Sequence, residues 1–236
     1  MPEHITNSRS IDCGAMEKLL KGDFVSVINN SRRNNAPEWT ALPQVRVEDI
    51  DEYTFDVIDP QDDAQTVKRP FGEGTASYVN GEQKMPYKLH VVCYDIYLHQ
   101  FVFDDGQGHS EMSLLKDNTK MADLIVYDRE ESHKWFVVHE LKKGAVKNKR
   151  NLAQKQLNAT VNMLFKAKEM KAFIDGFSNK MCIYSAKDER VLTTPNGIAD
   201  AFLEVYEVLP DPREFNYGVI NRFGFRAFET SKVILE

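Results

Sequence analysis

The stretch "VVHELKKG", residues 137–144, combines the composition of a β-strand with an acid and a base two positions apart. Valine-rich sequence favours a strand, and successive side chains of a strand alternate between the two faces of its sheet. Glu140 and Lys142 therefore project to one face, with Leu141 on the other. An ion pair and a metal-dependent active site would both use this arrangement, so the rest of the chain has to separate them.

The segments "KMADLIVYD" (residues 120–128) and "KWFVVHELK" (residues 134–142) predict two strands joined by a polar turn. If the turn is centred between residues 131 and 132, directly opposed residues have numbers that sum to 263, which pairs Asp123 with Glu140. Opposed residues project to the same side of an antiparallel pair, with Cβ atoms about 4.5–5.5 Å apart. Two carboxylates this close repel each other unless a cation lies between them or one of them is protonated.

A hard divalent cation such as Mg²⁺ or Mn²⁺ prefers oxygen ligands. The predicted ligands are the carboxylates of Asp123 and Glu140 and the main-chain carbonyl of Leu141. A metal at this point could activate a water molecule and neutralise charge during an in-line displacement at phosphorus. Lys142 would stand beside that water and orient it.

A long helix is predicted from about residue 148 to residue 173. Its apolar stripe contains Leu157, and both Arg150 and Gln154 fall within about 60° of that stripe at 100° per residue. These two polar side chains are expected to position phosphate or to support the site. Basic residues near the start of a helix attract phosphates, and the predicted substrate-binding residues are Lys143, Lys147, Lys149 and Arg150.

The bulk composition predicts one soluble domain over residues 1–236, since 42% hydrophobic residues are enough for a sizeable core. A net charge of −6 argues against coating nucleic acid by bulk attraction but allows a local basic groove. Three cysteines without metal-ligand spacing, no signal sequence and no apolar run of membrane-spanning length predict a cytoplasmic protein without a membrane partner.

The predicted order of elements is a helix, an irregular insert, a β-meander, the long helix, a strand, a helix and a strand. This order favours the α+β class, with a central mixed sheet that contains an antiparallel meander and is flanked by helices. The core would cover about residues 87–236 and a helix at 12–22, separated by the irregular insert at about 30–86. Within it, residues 87–103 predict a long bent strand or a tight hairpin, residues 196–209 a helix, and residues 215–229 a strand at the edge of the sheet.

These features resemble the PD-(D/E)xK nuclease superfamily, whose core is an αβββαβ unit. Asp123 looks like the first acid of its motif, although Ala122 precedes it where proline is usual, and "ELK", residues 140–142, resembles the (D/E)xK triplet. Glu17 would be the optional acid of the first helix.

The helix after the triplet often carries a glutamine in this superfamily. By helical face that residue would be Gln154, with Gln156 as the second candidate, and the Q-x-x-x-Y version is missing because Thr160 follows Gln156. His139 does not complete an HExxH zinc motif and is expected to face the other side of the sheet, as a core or interface histidine.

The resemblance implies a restriction-endonuclease-like core and a Mg²⁺-dependent (or Mn²⁺-dependent) nuclease, a hydrolase in which Asp123, Glu140, Lys142 and Gln154 are the catalytic residues. Nucleic acid is the implied partner, with DNA favoured over RNA, and a homodimer stays open. The alternative is a catalytically inactive member of the same architecture that only binds or interacts. A third interpretation is a structural protein in which Glu140 and Lys142 belong to a salt-bridged sheet face.

Overall fold

The computed structural model describes residues 14–60, 65–106, 112–116, 120–130, 132–143, 149–187 and 212–236. Its helices are α1 (Ala15–Lys21), α2 (Asp23–Asn30), α3 (Tyr94–His99), α4 (Arg150–Leu164), α5 (Lys168–Asp175) and α6 (Gly218–Asn221). Its strands are β1 (Val47–Ile50), β2 (Thr54–Val57), β3 (Lys68–Arg69), β4 (Ala76–Asn80), β5 (Leu89–Cys93), β6 (Val102–Phe103), β7 (Met112–Ser113), β8 (Leu124–Asp128), β9 (Trp135–Lys143), β10 (Asn179–Lys187), β11 (Arg213–Phe215), β12 (Arg226–Glu229) and β13 (Lys232–Leu235).

A mixed sheet of seven strands, in the order β1-β5-β8-β9-β10-β12-β11, forms the centre of the described structure. Neighbours from β1 through β9 pair antiparallel, and β10 pairs parallel with both β9 and β12. The predicted α+β class, with a mixed sheet that contains an antiparallel meander, is therefore confirmed. The strand β10 can run parallel to β9 because α4 and α5 carry the chain back across the sheet between them.

The two faces of this sheet are covered by different layers. The helices pack on one face, in a core to which Phe24, Leu157 and Met170 contribute. The other face is covered by a second sheet, in the order β13-β4-β2-β3, through residues such as Phe55 and Leu235. The sheet was expected to be flanked by helices, and the structure corrects that prediction in part, because one flanking layer is a β-sheet.

The second sheet accounts for much of the region from 30 to 86 that was expected to be irregular. β2, β3 and β4 lie in that region, and β4 pairs in parallel with β13 near the end of the chain. β1, from the same region, extends the central sheet by pairing with β5. These strands are short and depend on distant partners, which is why local composition alone indicated loops.

The secondary structure predicted from the sequence is wrong at two further places. Residues 94–99, predicted to be extended, form α3, because Tyr94 and Tyr97 lie one helical turn apart and are both buried in the helix-side core. Residues 215–229 do not form one strand but contain the end of β11, the short helix α6 and β12, with β11 at the sheet edge.

The predicted long helix is broken into α4 and α5 between Leu164 and Lys168, so that each part packs its own apolar side on the core. The predicted N-terminal helix appears as α1, and α2 begins directly after Gly22. The helix predicted at residues 196–209 lies outside the described residues.

The predicted register of the β8–β9 hairpin is confirmed. Leu124 pairs with His139 and Ile125 with Val138, so the numbers of opposed residues sum to 263. Continuing this ladder by one position sets Asp123, the residue just before β8, opposite Glu140. Both belong to the helix-side face, on which Ile125 and Val138 are buried.

Candidate active site

Asp123 is fixed through both its main chain and its side chain. Its carbonyl accepts hydrogen bonds from the main-chain N–H groups of Tyr94 (2.9 Å) and Asp95 (3.2 Å) at the start of α3. Its Oδ2 accepts a hydrogen bond of 2.6 Å from the main-chain N–H of Leu141 on β9. The side chain of Asp123 therefore lies against the segment that carries Glu140 and Lys142.

Glu140 is fully buried, with 0% of its surface exposed. It forms an ion pair with Lys142 on the same strand. Apart from that pair, neither carboxylate oxygen of Glu140 has a hydrogen-bond partner among the residues that the structure describes. Burial raises the pKa of Glu140 to about 7 despite the attraction of the Lys142 ammonium. Burial and the charge of Glu140 together raise the pKa of Asp123 well above its usual range.

Lys142 stays charged in this setting. Its side chain is 17% exposed. Burial lowers the pKa of Lys142, but the nearby carboxylates, Glu140 first, outweigh that effect and the net shift is upward. At neutral pH Lys142 is therefore a hydrogen-bond donor and a positive charge, not a base.

Two further acids, Asp59 and Asp95, belong to the same electrostatic cluster. The charge of Asp59 raises the pKa of Asp123, Glu140 and Asp95, and the charge of Asp95 raises the pKa of Glu140. Sequence reasoning did not find either residue as part of the site. Asp59 lies in a generally acidic stretch and Asp95 in a segment predicted to be a strand, so neither has a local motif.

The cluster contains more acidic groups than ammonium groups. Its four carboxylates are those of Asp59, Asp95, Asp123 and Glu140, whereas the ammonium groups that lower their pKa values are those of Lys142 and, at Asp95, also Lys120. Within the described ranges no three acidic, histidine or cysteine side chains already converge as an ion-binding cage. A cation here would therefore be held by the opposed carboxylate pair together with main-chain and water oxygens.

The main chain of Leu141 can supply one of these oxygens. The N–H and C=O of one strand residue point to the same neighbouring strand, since opposed residues of an antiparallel ladder exchange both bonds. Because the N–H of Leu141 bonds to Asp123, its carbonyl also points to the side of Asp123. This geometry fits the predicted ligand role of Leu141.

Helix α4 contacts the segment before Asp123 through Gln156 and Thr160. Gln156 is buried and donates from Nε2 to the carbonyl of Met121 (3.0 Å), and Thr160 Oγ1 accepts a hydrogen bond of 2.7 Å from the N–H of Ala122. Gln154, the first candidate, is half-buried and lies about 160° around α4 from Gln156, away from this contact. The structure therefore brings Gln156, the second candidate, to the strand that carries Asp123.

The predicted substrate-binding residues have different surroundings. Arg150, the first residue of α4, forms an ion pair with Glu229 on β12, and Lys149 lies at the start of the same helix. Lys147 and the side chain of Lys143 lie outside the described residues.

Glu17, the predicted first-helix acid, is on α1 and forms an ion pair with Lys21. Its charge raises the pKa of His90 on β5, opposing the effect of burial. No contact joins Glu17 to Asp123 or Glu140 in the described part of the chain, so the structure does not bring it into the carboxylate pair.

His139 faces the opposite side of the sheet, as predicted. Its Nδ1 lies 2.7 Å from the hydroxyl of Tyr78 on the second sheet, and its Nε2 lies 2.7 Å from Ser185 Oγ. Ser185 donates to the carbonyl of Thr230, so it accepts the hydrogen bond from Nε2–H of His139. His139 is thus a satisfied core histidine that joins the two sheets.

A scan against protein-family models and searches of curated proteins and of solved structures gave no match to this chain. Among the described helices, none combines the length and hydrophobicity needed to cross a lipid bilayer.

Proposed function

We propose that this chain is a metal-dependent phosphodiesterase that hydrolyses nucleic acid, with DNA favoured over RNA. The observation that carries the proposal is the opposed pair Asp123 and Glu140, on one sheet face, with Lys142 beside it. The helix–meander–helix–strand order of α1, β5, β8, β9, α4 and β10 supports a restriction-endonuclease-like core.

The residues of the pair fit a hard divalent cation such as Mg²⁺ or Mn²⁺. Glu140 is a fully buried carboxylate whose oxygens have no described partner other than the Lys142 ammonium, and a buried carboxylate with so few partners is suited to bind a metal ion. Asp123 and Glu140 would hold the ion together with the carbonyl of Leu141. The bound ion would supply positive charge that acidifies a water molecule and offsets the charge developing on phosphate.

The protein side chains then have separate tasks. Leu141 N–H orients Asp123, leaving Oδ1 available as a ligand. Lys142, held as an ammonium by the surrounding carboxylates, donates a hydrogen bond to the attacking water or to a phosphoryl oxygen. Gln156 and Thr160 hold residues 121 and 122, which fixes the main chain on which Asp123 stands.

The ion pair between Glu140 and Lys142 also favours an alternative, a restriction-endonuclease-like binding protein in which the pair persists without turnover. Calorimetric titration with Mn²⁺, combined with hydrolysis of labelled duplex DNA in Mg²⁺, separates the two. The nuclease predicts one Mn²⁺ site and cleavage, both lost in Asp123→Asn and Glu140→Gln. DNA binding without cleavage would support the alternative, and the absence of both a metal site and cleavage would contradict the proposed activity.

A further inference from the structure

Two buried polar atoms without hydrogen-bond partners lie beside Glu140, one on the neighbouring strand β10 and one at the start of α4. They are the hydroxyl of Tyr184 and Nε of Arg150, neither of which has a hydrogen-bond partner among the described residues. The neighbouring Glu140 is paired through Oε1 with Lys142. Leaving such atoms unsatisfied costs stability, so native proteins rarely do so. Tyr184 and Arg150 interact electrostatically, and two such donors near each other indicate a ligand that supplies the missing acceptor.

The sheet register brings these groups together. Tyr184 is directly beside Glu140 in the β9–β10 ladder and directly beside Glu229 in the β10–β12 ladder. Neighbouring strands lie about 4.8 Å apart, and residues in register share a face. Tyr184, which is only 1% exposed, therefore stands between the two acids, under the start of α4.

The Nε–H of Arg150 is a hydrogen-bond donor without an acceptor in the described structure. Both oxygens of Glu229 interact with the same terminal nitrogen of Arg150, Nη2, at 2.8 and 2.6 Å. The guanidinium is thereby held in one orientation while its Nε–H lacks an acceptor. An acid that fixes an arginine without occupying all its donors leaves the rest for an anionic ligand.

We propose that the Tyr184 hydroxyl and the Arg150 Nε–H form an oxyanion site that binds a non-bridging phosphoryl oxygen of the substrate beside Glu140. Glu229 is a positioning residue that orients Arg150. The phosphate would then receive a hydrogen bond from Lys142 on β9. It would receive two more from Tyr184 on β10 and Arg150 on α4. This assignment rests on the proposed phosphodiester chemistry and adds Tyr184 as a catalytic residue.

The test compares Tyr184→Phe with Tyr94→Phe. Tyr94 is a matched control, because it is another fully buried tyrosine on the helix side whose hydroxyl lacks a partner in the described structure. Thermal unfolding is followed at low ionic strength in Mg²⁺ while inorganic phosphate is added. Wild type and Tyr94→Phe should be stabilised by phosphate, whereas Tyr184→Phe should need about tenfold more phosphate for the same shift, because it loses a hydrogen bond to a charged oxygen.

Two further variants distinguish binding from general damage. Arg150→Lys keeps the charge but has no Nε–H, so it should need more phosphate than wild type for the same shift, as Tyr184→Phe does. Glu229→Gln keeps an oxygen that can accept from Nη2 and should respond more strongly to phosphate than Glu229→Ala. In DNA hydrolysis, Tyr184→Phe should lower kcat/KM about ten- to hundredfold, because the lost donor contacts the phosphoryl oxygen in the bound substrate and in the transition state.

The oxyanion site is overturned if Tyr184→Phe and wild type respond equally to phosphate, or if wild type does not respond at all. Equal DNA cleavage by wild type and Tyr184→Phe would also overturn it while leaving the nuclease intact. A phosphate response that depends on Tyr184 in a protein that cleaves no nucleic acid would support the anion site and refute the nuclease.

Discussion

Glu140 and Lys142 form an ion pair within one strand, in which the acid is fully buried and the base is 17% exposed. The pair does not satisfy the acid, because burial still raises the pKa of Glu140 to about 7. An acid held at this cost is typical of a functional site, where stability is given up for reactivity. A structural ion pair would instead lower the pKa of its acid.

The first prediction concerns Glu140→Gln in metal-free buffer. The pKa of Glu140 is raised in the folded state from 4.5 to about 7, so its contribution to stability is present below pH 4.5 and is lost as the pH rises through 7. Glutamine mimics the protonated acid at every pH. The variant should match wild type near pH 4 and be more stable by about 1–3 kcal/mol at pH 8, measured by urea unfolding. A variant less stable than wild type at pH 8 would show that Glu140 anchors a structural pair.

The second prediction concerns His139 and acid. Burial lowers the pKa of His139 from 6.5 to about 3. Between these pH values His139 binds a proton more readily in the unfolded chain than in the folded protein. The free energy of unfolding therefore falls as the pH drops through that range. Each pH unit in the window can cost up to about 1.4 kcal/mol. His139→Gln should be less stable at neutral pH but lose less stability between pH 6.5 and 4.5 than wild type does. Parallel urea-unfolding curves against pH would refute this account of the inter-sheet histidine.

The third prediction concerns the hydrogen bond between Thr160 and Ala122. Thr160→Val keeps the shape of the side chain but leaves the buried N–H of Ala122 without its acceptor. We expect a loss of about 1–3 kcal/mol in the free energy of unfolding. If this contact also orients Asp123, kcat should fall while the affinity for DNA stays near the wild-type value. Thr160→Ser, which retains the hydroxyl, should recover most of both losses.

The fourth prediction concerns phosphate contacts at the start of α4. Replacing Lys147 and Lys149 by glutamine removes up to two contacts, and each contributes about 0.9 to the slope of log affinity against log salt on duplex DNA. The double variant should bind DNA more weakly and with a salt slope shallower by up to about 1.8. Lys166→Gln with Lys168→Gln, two exposed lysines after α4 of which Lys168 begins α5, is the matched control and should leave the slope unchanged. The same slope in both double variants would exclude this segment as the DNA contact.

The sequence predicted the geometry of the β8–β9 hairpin because a short hairpin ties register to turn position. Once the turn was centred between residues 131 and 132, the pairing of Asp123 with Glu140 followed from arithmetic, and the ladder agrees with it. The opposite orientation of His139 followed from the same alternation.

Interactions between distant segments could not be predicted in this way. The pairing of β4 with β13 joins residues near 78 to residues near 233, and no local pattern encodes it. Asp59 follows β2 of the second sheet, and its electrostatic effect on Asp123 also joins segments that are far apart in sequence. Gln156 was ranked behind Gln154 because the buried side of α4 extends to polar residues such as Thr160, and polar residues do not contribute to an apolar stripe.

The most direct test of the proposed nuclease site measures both kcat and DNA affinity for Lys142→Met. Lys180→Met is its matched control, since Lys180 is 15% exposed and also pairs with a carboxylate, Asp175. We predict that wild type and Lys180→Met hydrolyse duplex DNA in Mg²⁺, and that Lys142→Met lowers kcat by about 10²-fold or more with DNA affinity within about threefold of wild type. Equal turnover by the two lysine variants, or no hydrolysis by wild type, would contradict the assignment of Asp123, Glu140 and Lys142 as a nuclease site.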